Sequence, residues 1–127
     1  MTIVAAGVST KAASLTLSFQ GKHNSISVGK DVVRVLGVPS YVCIRISEKK
    51  DSIAIMPCEP ADFMSFRVPD KLLSDHHCVF RIHSKEFVHG ILARQGIDLD
   101  NSFVVTGNLC QKNNVVMFHL NNENAGI

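Results

Sequence analysis

The stretch Ile26-Ser27-Val28-Gly29-Lys30-Asp31-Val32-Val33-Arg34-Val35-Leu36-Gly37-Val38 opens with alternating apolar and polar residues. It turns at Gly29-Lys30 and ends with apolar residues at helical spacing. It reads as a strand running into a short helix. A Gly-Lys pair at such a junction invites comparison with a phosphate-binding loop. That loop needs a second glycine five residues earlier and a hydroxyl residue after the lysine to hold magnesium. Asn24 and Asp31 occupy those positions. The carboxylate would repel a polyphosphate, and the absent glycine removes a point of close backbone approach. The junction is therefore structural.

The same junction occurs again downstream. Ser27-Val28-Gly29-Lys30-Asp31-Val32-Val33 is echoed by Ile82-His83-Ser84-Lys85-Glu86-Phe87-Val88, and Leu36-Gly37-Val38 by Gln95-Gly96-Ile97 after about one extra helical turn. Each copy continues into two β-rich runs around a polar turn. These are Tyr41–Ile46 and Ser52–Met56 in the first copy, and Ser102–Thr106 and Val115–Leu120 in the second, where the turn is expected over residues 107–114. A further strand precedes each junction strand: Leu15–Phe19 before Ser25–Val28, and Met64–Val68 before Cys78–Ile82. The unit is strand, turn, strand, short helix, strand, turn, strand, used twice. Two prolines in Pro57-Cys58-Glu59-Pro60 mark the linker, because proline cannot donate to a central ladder. The expected organisation is a mobile leader (1–14), one domain (15–120) of two repeats (15–57 and 65–120, linker 58–64), and a flexible tail (121–127). One unit alone would leave too many strand edges open, whereas two can pair those edges and close one barrel-like core.

The formal charge is +2, with acidic and basic residues interleaved. Tryptophan is absent and tyrosine occurs once, so aromatic platforms for stacking single-stranded bases are scarce. Cys43, Cys58, Cys78 and Cys110 form no C-x-x-C pair, and the opening MTIVAAGVSTKAA lacks a signal peptide's basic leader and long apolar run. Reduced thiols, a cytoplasmic location and no membrane span are expected.

The chain offers little for catalysis. Cys78 beside His77 lies on a predicted strand, where adjacent side chains point to opposite faces, and no nucleophile elbow is present. No enzyme activity and no cofactor are expected. His76, His77 and Cys78, with His83 and His89 downstream, are the nearest approach to a metal-ligand cluster, but they straddle a strand and a helix junction, so they are read as polar turn residues and one buried cysteine, and no metal site is expected. The stripes Val32/Val33/Leu36 and Phe87/Val88/Ile91/Leu92 are read as core. Asp31 and Glu86 suit a first helical turn, where carboxylates complement exposed amide groups.

A strand ending at a short helix that closes in Leu36-Gly37-Val38, followed by a hairpin ending in Ile53-Ala54-Ile55-Met56-Pro57, resembles the AbrB/SpoVT/MazE swapped-hairpin superfamily. Two copies in one chain resemble the tandem, MraZ-like arrangement. The resemblance implies an intramolecular swapped-hairpin β-barrel of two ββαββ repeats, and a bacterial DNA-binding transcription regulator. The sequence departs from the family at several points. Gly29 and Ser84 stand where the family has proline, and Pro39-Ser40 and Asp100-Asn101 where it has Gly-Asp. Of the family's phosphate-gripping arginines only Arg34 matches, with Ser25 and Val33 at other such positions and Val88-His89 in the second copy. The residues expected to meet duplex DNA are Lys22 and His23 in the first turn, Lys30 and Arg34 at the first helix, and Lys85, His89 and Arg94 at the second. If the copies are related by a pseudo-twofold, Lys30 and Lys85 would face phosphates of two half-sites. The alternative is a non-enzymatic protein-interaction or assembly module that keeps the fold without binding DNA. A protein partner and a homo-oligomer are open on either reading.

Overall fold

Apolar residues at every second position fix which face of each strand turns inward, and strand register follows from that face. The computed structural model describes residues 15–49 and 51–120, so the expected leader (1–14) and tail (121–127) lie outside the described residues. In chain order the elements are β1 (Thr16–Gln20), a 3-10 turn (Gly21–His23), β2 (Ser25–Val28), α1 (Lys30–Val35), β3 (Tyr41–Ile46) and β4 (Ser52–Pro57). There follow β5 (Ser65–Arg67), β6 (Phe80–His83), α2 (Lys85–Arg94), β7 (Ser102–Cys110) and β8 (Val115–His119). The protein is mainly β with short helices, and its strands form one antiparallel, nearly closed barrel-like sheet in the order β5-β3-β4-β8-β7-β1-β2-β6.

Several neighbours in this sheet come from distant parts of the chain. Thr16 of β1 lies opposite Thr106 of β7, Tyr41 of β3 opposite Arg67 of β5, Ile26 of β2 opposite Ile82 of β6, and Ile53 of β4 opposite Phe118 of β8. Alternation puts Leu17 and Phe19, Ile26 and Val28, Ile53 and Ile55, Phe80 and Ile82, and Val116 and Phe118 into a single core. Phe19 and Phe103, directly opposite in the ladder, hold their ring centroids 5.9 Å apart at a tilt, a favourable aromatic arrangement. No ladder joins the end strands β5 and β6 among the described residues. The connection between them sends Val68 and Leu72 into the core.

Both helices end at a glycine. Gly37 (φ 89°) and Gly96 (φ 72°) follow the two helix C-termini in the left-handed region, which costs a glycine nothing. α2 is capped by Ser84, whose Oγ accepts from Phe87 N at 3.4 Å. α1 begins at Gly29 with no side-chain cap. Val32, Val33 and Leu36 on one helix, and Val88, Ile91 and Leu92 on the other, are buried.

Two local expectations are corrected. β7 does not stop at Thr106 but runs to Cys110, pairing with β1 through Ser102–Thr106 and with β8 through Gly107–Cys110. The segment taken for a turn contains Leu109, which packs on the core, and the turn itself shrinks to residues 111–114 with Asn114 at φ 54°. β7 changes partners at Gly107, where a Cβ would sit 2.7 Å from both Met117 O and the Phe118 ring. β4 runs one residue past the expected Met56, to Pro57. This proline lies opposite Val42 beyond the last β4–β8 pair, Ile55–Val116, so its missing N–H breaks no ladder.

Candidate nucleic-acid interface

The outward face of the β2–β6 pair is where basic side chains gather. Because Phe80 and Ile82 point inward, Arg81 and His83 must point outward, and both are exposed. They stand opposite Ser27 and Ser25. At one end of this pair the 3-10 turn carries Lys22 and His23, also exposed. That turn is tied to the start of α2 by Ser84 N donating to Asn24 O at 2.9 Å, and by His89 Nε2 lying 3.3 Å from Gly21 O. Lys85, the first residue of α2, is therefore held beside it and is exposed. At the other end of the pair, Lys30 opens α1 and its Nζ donates to Asp75 O at 3.1 Å. Antiparallel pairing thus sets Lys30 and Lys85 beyond opposite ends of one four-residue strand pair, which itself spans about 10 Å at roughly 3.4 Å per residue.

The seven residues expected at a DNA surface are not equivalent. Lys22, His23 and Lys85 have no hydrogen-bond or ion-pair partner among the described residues. Lys30 is half-buried against the 69–79 connection, and His89 is half-buried against the 3-10 turn. Arg34 binds the Asp31 carboxylate within its own helix. Arg94 donates from Nε to Lys49 O at 3.1 Å, on the side of α2 that faces the β3–β4 turn. Ser25 is fully buried and donates to Gln20 Oε1 at 3.1 Å, so that position does not meet an external ligand. Arg81 and His83 were not among the DNA candidates read from the sequence, although the polar positions of the Phe80-Arg81-Ile82-His83 alternation identify them. Ser27 Oγ, between Ser18 and Arg81, is buried with no hydrogen-bond partner among the described residues.

A groove of about 320 Å³ lies on another face, lined by Ile46, Met64, Phe87 and Ile91 with Ser84 and Glu86 at its polar edge. It is small and mainly apolar, and carries no convergent set of titratable groups.

Among the described residues, the side chains whose donor atoms converge as metal ligands are Cys43, Cys58 and Asp62, all within 4.8 Å of one another. The histidines singled out in the sequence do not join such a set. His76 and His77 stack at 4.1 Å between ring centroids on an exposed turn. The convergence at Cys43 arises because β3 lies between β4 and β5, so residues 58–64 must cross the outer face of β3. Cys58 N donates to Tyr41 O at 3.1 Å at one side of this crossing, and Ile44 N donates to Met64 O at 3.2 Å at the other. The Arg45 guanidinium binds the Phe63 carbonyl and lies 5.9 Å from the Phe63 ring centroid. Burial, reinforced by the hydrogen bond and charge of Cys58, pushes the Cys43 thiol up to about 11.

Comparison of the chain with protein-family models, with curated proteins and with solved structures returned no match. No helix among the described residues is long and apolar enough to cross a membrane.

Proposed function

We propose that the chain is a DNA-binding transcription regulator of AbrB-like type, a tandem swapped-hairpin barrel that holds duplex DNA mainly through its phosphates. The observation that carries this reading is the row of basic residue types on the β2–β6 face: Lys22, His23, His83, Arg81 and Lys85, with Lys30 beyond the far end. Its few arginines suit backbone contacts better than base readout. The pairing pattern supports the tandem architecture. Exchanging β1 with β5, β2 with β6, β3 with β7 and β4 with β8 carries each ladder onto another, or onto itself. The exception is β1–β2, whose counterpart would join the end strands. Each repeat's second hairpin lies against the other repeat's first strand, as a hairpin exchange within one chain requires.

A mobility-shift assay with mixed-sequence duplex at low salt tests the reading, with the protein's own promoter among the probes. Affinity is expected to fall with added salt. The combined change Lys22→Ala, Arg81→Ala and Lys85→Ala should flatten the salt slope by about one unit for each phosphate that is no longer neutralised. Changing Arg34 and Arg94, already engaged within the fold, should do much less. Absence of a shift at micromolar protein would instead favour a protein-interaction module. The apolar groove beside Met64 and Phe87 and the unpaired edges of β5 and β6 are the features that support that second reading.

A further inference from the structure

We propose that Cys43, Cys58 and Asp62 form a binding site for a thiophilic divalent cation, zinc foremost, that clips the 58–64 crossing onto β3. Two thiolates and one carboxylate are a donor set that tetrahedral zinc accepts, with the fourth position left to water or to a nearby oxygen. Ser65 supplies such an oxygen. It lies opposite Cys43 in the β3–β5 ladder, and its Oγ accepts from Cys58 Sγ at 3.5 Å. The donor atoms are already within 4.8 Å of one another, and zinc–sulfur bonds of about 2.3 Å ask them to close in by only about 1 Å.

Backbone geometry brings the donors there independently of any ion. Cys43 lies opposite Met56, and Cys58 follows two residues later on the same face of the hairpin. Asp62 is presented by a compact turn in which its Oδ2 accepts from Glu59 N at 2.8 Å and its own N–H donates to Glu59 O at 3.0 Å. Charge balances too. Two thiolates, a carboxylate and a dication carry one net negative charge, and Arg45, fixed on Phe63 beside the site, carries the compensating positive one. Binding releases about two protons per metal to buffer.

The test is titration of the full chain with Co²⁺, anaerobically and with a non-thiol reductant. One equivalent should produce a sulfur-to-cobalt charge-transfer band and the visible bands of a tetrahedral site. Zn²⁺ should displace them, and should raise Tm by a few degrees in a chelator-reversible way. Cys58→Ser should abolish the band and the Tm shift, and Asp62→Asn should weaken Co²⁺ binding by about 10-fold or more. Cys78→Ser and Cys110→Ser should change neither. Cys58 and Asp62 lie outside the core, so these variants stay informative if Cys43→Ser does not fold. No thiolate band at stoichiometric Co²⁺, or a band that survives Cys58→Ser, overturns the proposal.

Discussion

Gly21 and Leu99 approach so closely that a Cβ on the glycine would lie 1.9 Å from the leucine's carbonyl oxygen and 2.8 Å from Leu92 Cδ1. Gly21 N also donates to Asn101 O at 3.1 Å, so neither backbone can retreat without breaking that bond. Gly21→Ala is expected to cost about 1–3 kcal/mol or more, read as a lower urea midpoint with unchanged slope. On the proposed DNA reading it should also weaken binding, because the displaced turn carries Lys22 and His23.

Ser27→Ala should act in the opposite direction. The Ser27 hydroxyl is buried without a partner among the described residues, and leaving such a group unsatisfied costs about 1–3 kcal/mol. Its removal is expected to raise stability by about 1 kcal/mol, measured by the same denaturant titration, with the β2–β6 ladder intact.

Base should destabilise the fold through Cys43. Its thiol ionises at 9.0 ordinarily but at about 11 in the folded protein, because of burial first and Cys58 second. Between these values the unfolded chain has lost the proton and the folded one has kept it. Stability therefore falls as pH rises from about 9 to about 11, and this thiol adds no further loss above that. The difference between wild type and Cys43→Ala across this window isolates the effect from lysine and tyrosine titration.

The β3–β4 turn rests on one hydroxyl. Ser47 Oγ accepts from Asp51 N and Ser52 N, both at 3.1 Å, and donates to Asp51 Oδ1 at 2.8 Å, which lowers the Asp51 carboxyl below its usual range. Ser47→Ala should cost about 1 kcal/mol and return Asp51 toward an ordinary titration, visible in a carboxylate NMR pH series.

Residues 15–57 expressed alone should not yield a monomer with a sharp thermal transition. β1, β2, β3 and β4 would each lack a partner that the rest of the chain supplies. A self-associated product or an unfolded one is expected by size-exclusion chromatography and circular dichroism.

Local chemistry made much of this fold legible. The recurrence of Gly29-Lys30-Asp31 as Ser84-Lys85-Glu86 located both helices, and the Gly37 and Gly96 positions located their ends. Alternation alone marked Tyr41–Ile46 as a strand to the residue. Sequence misled where one residue serves two neighbours. Asn108 and Cys110 look like turn residues, yet Leu109 between them is held by the core and by Val116 across the ladder. The basic candidates could be chosen by type but not ranked, because an Arg34 paired to Asp31 and a Lys85 facing solvent look alike in one dimension. Cys43 and Cys58 were invisible as neighbours because their meeting depends on the crossing of 58–64 over β3, which only the strand order reveals.

Thr16 lies opposite Thr106, and that single register constrains how the chain is made. Among the described strands, β1 finds its outer partner only when β7 has been made, so this part of the core closes late. The entropy of closing that span is given up before any packing offsets it, which predicts slow folding for the chain's size and a nascent state with exposed apolar strands. Synthesis of the β7–β8 hairpin is the event that lets β1 and β4 complete their ladders.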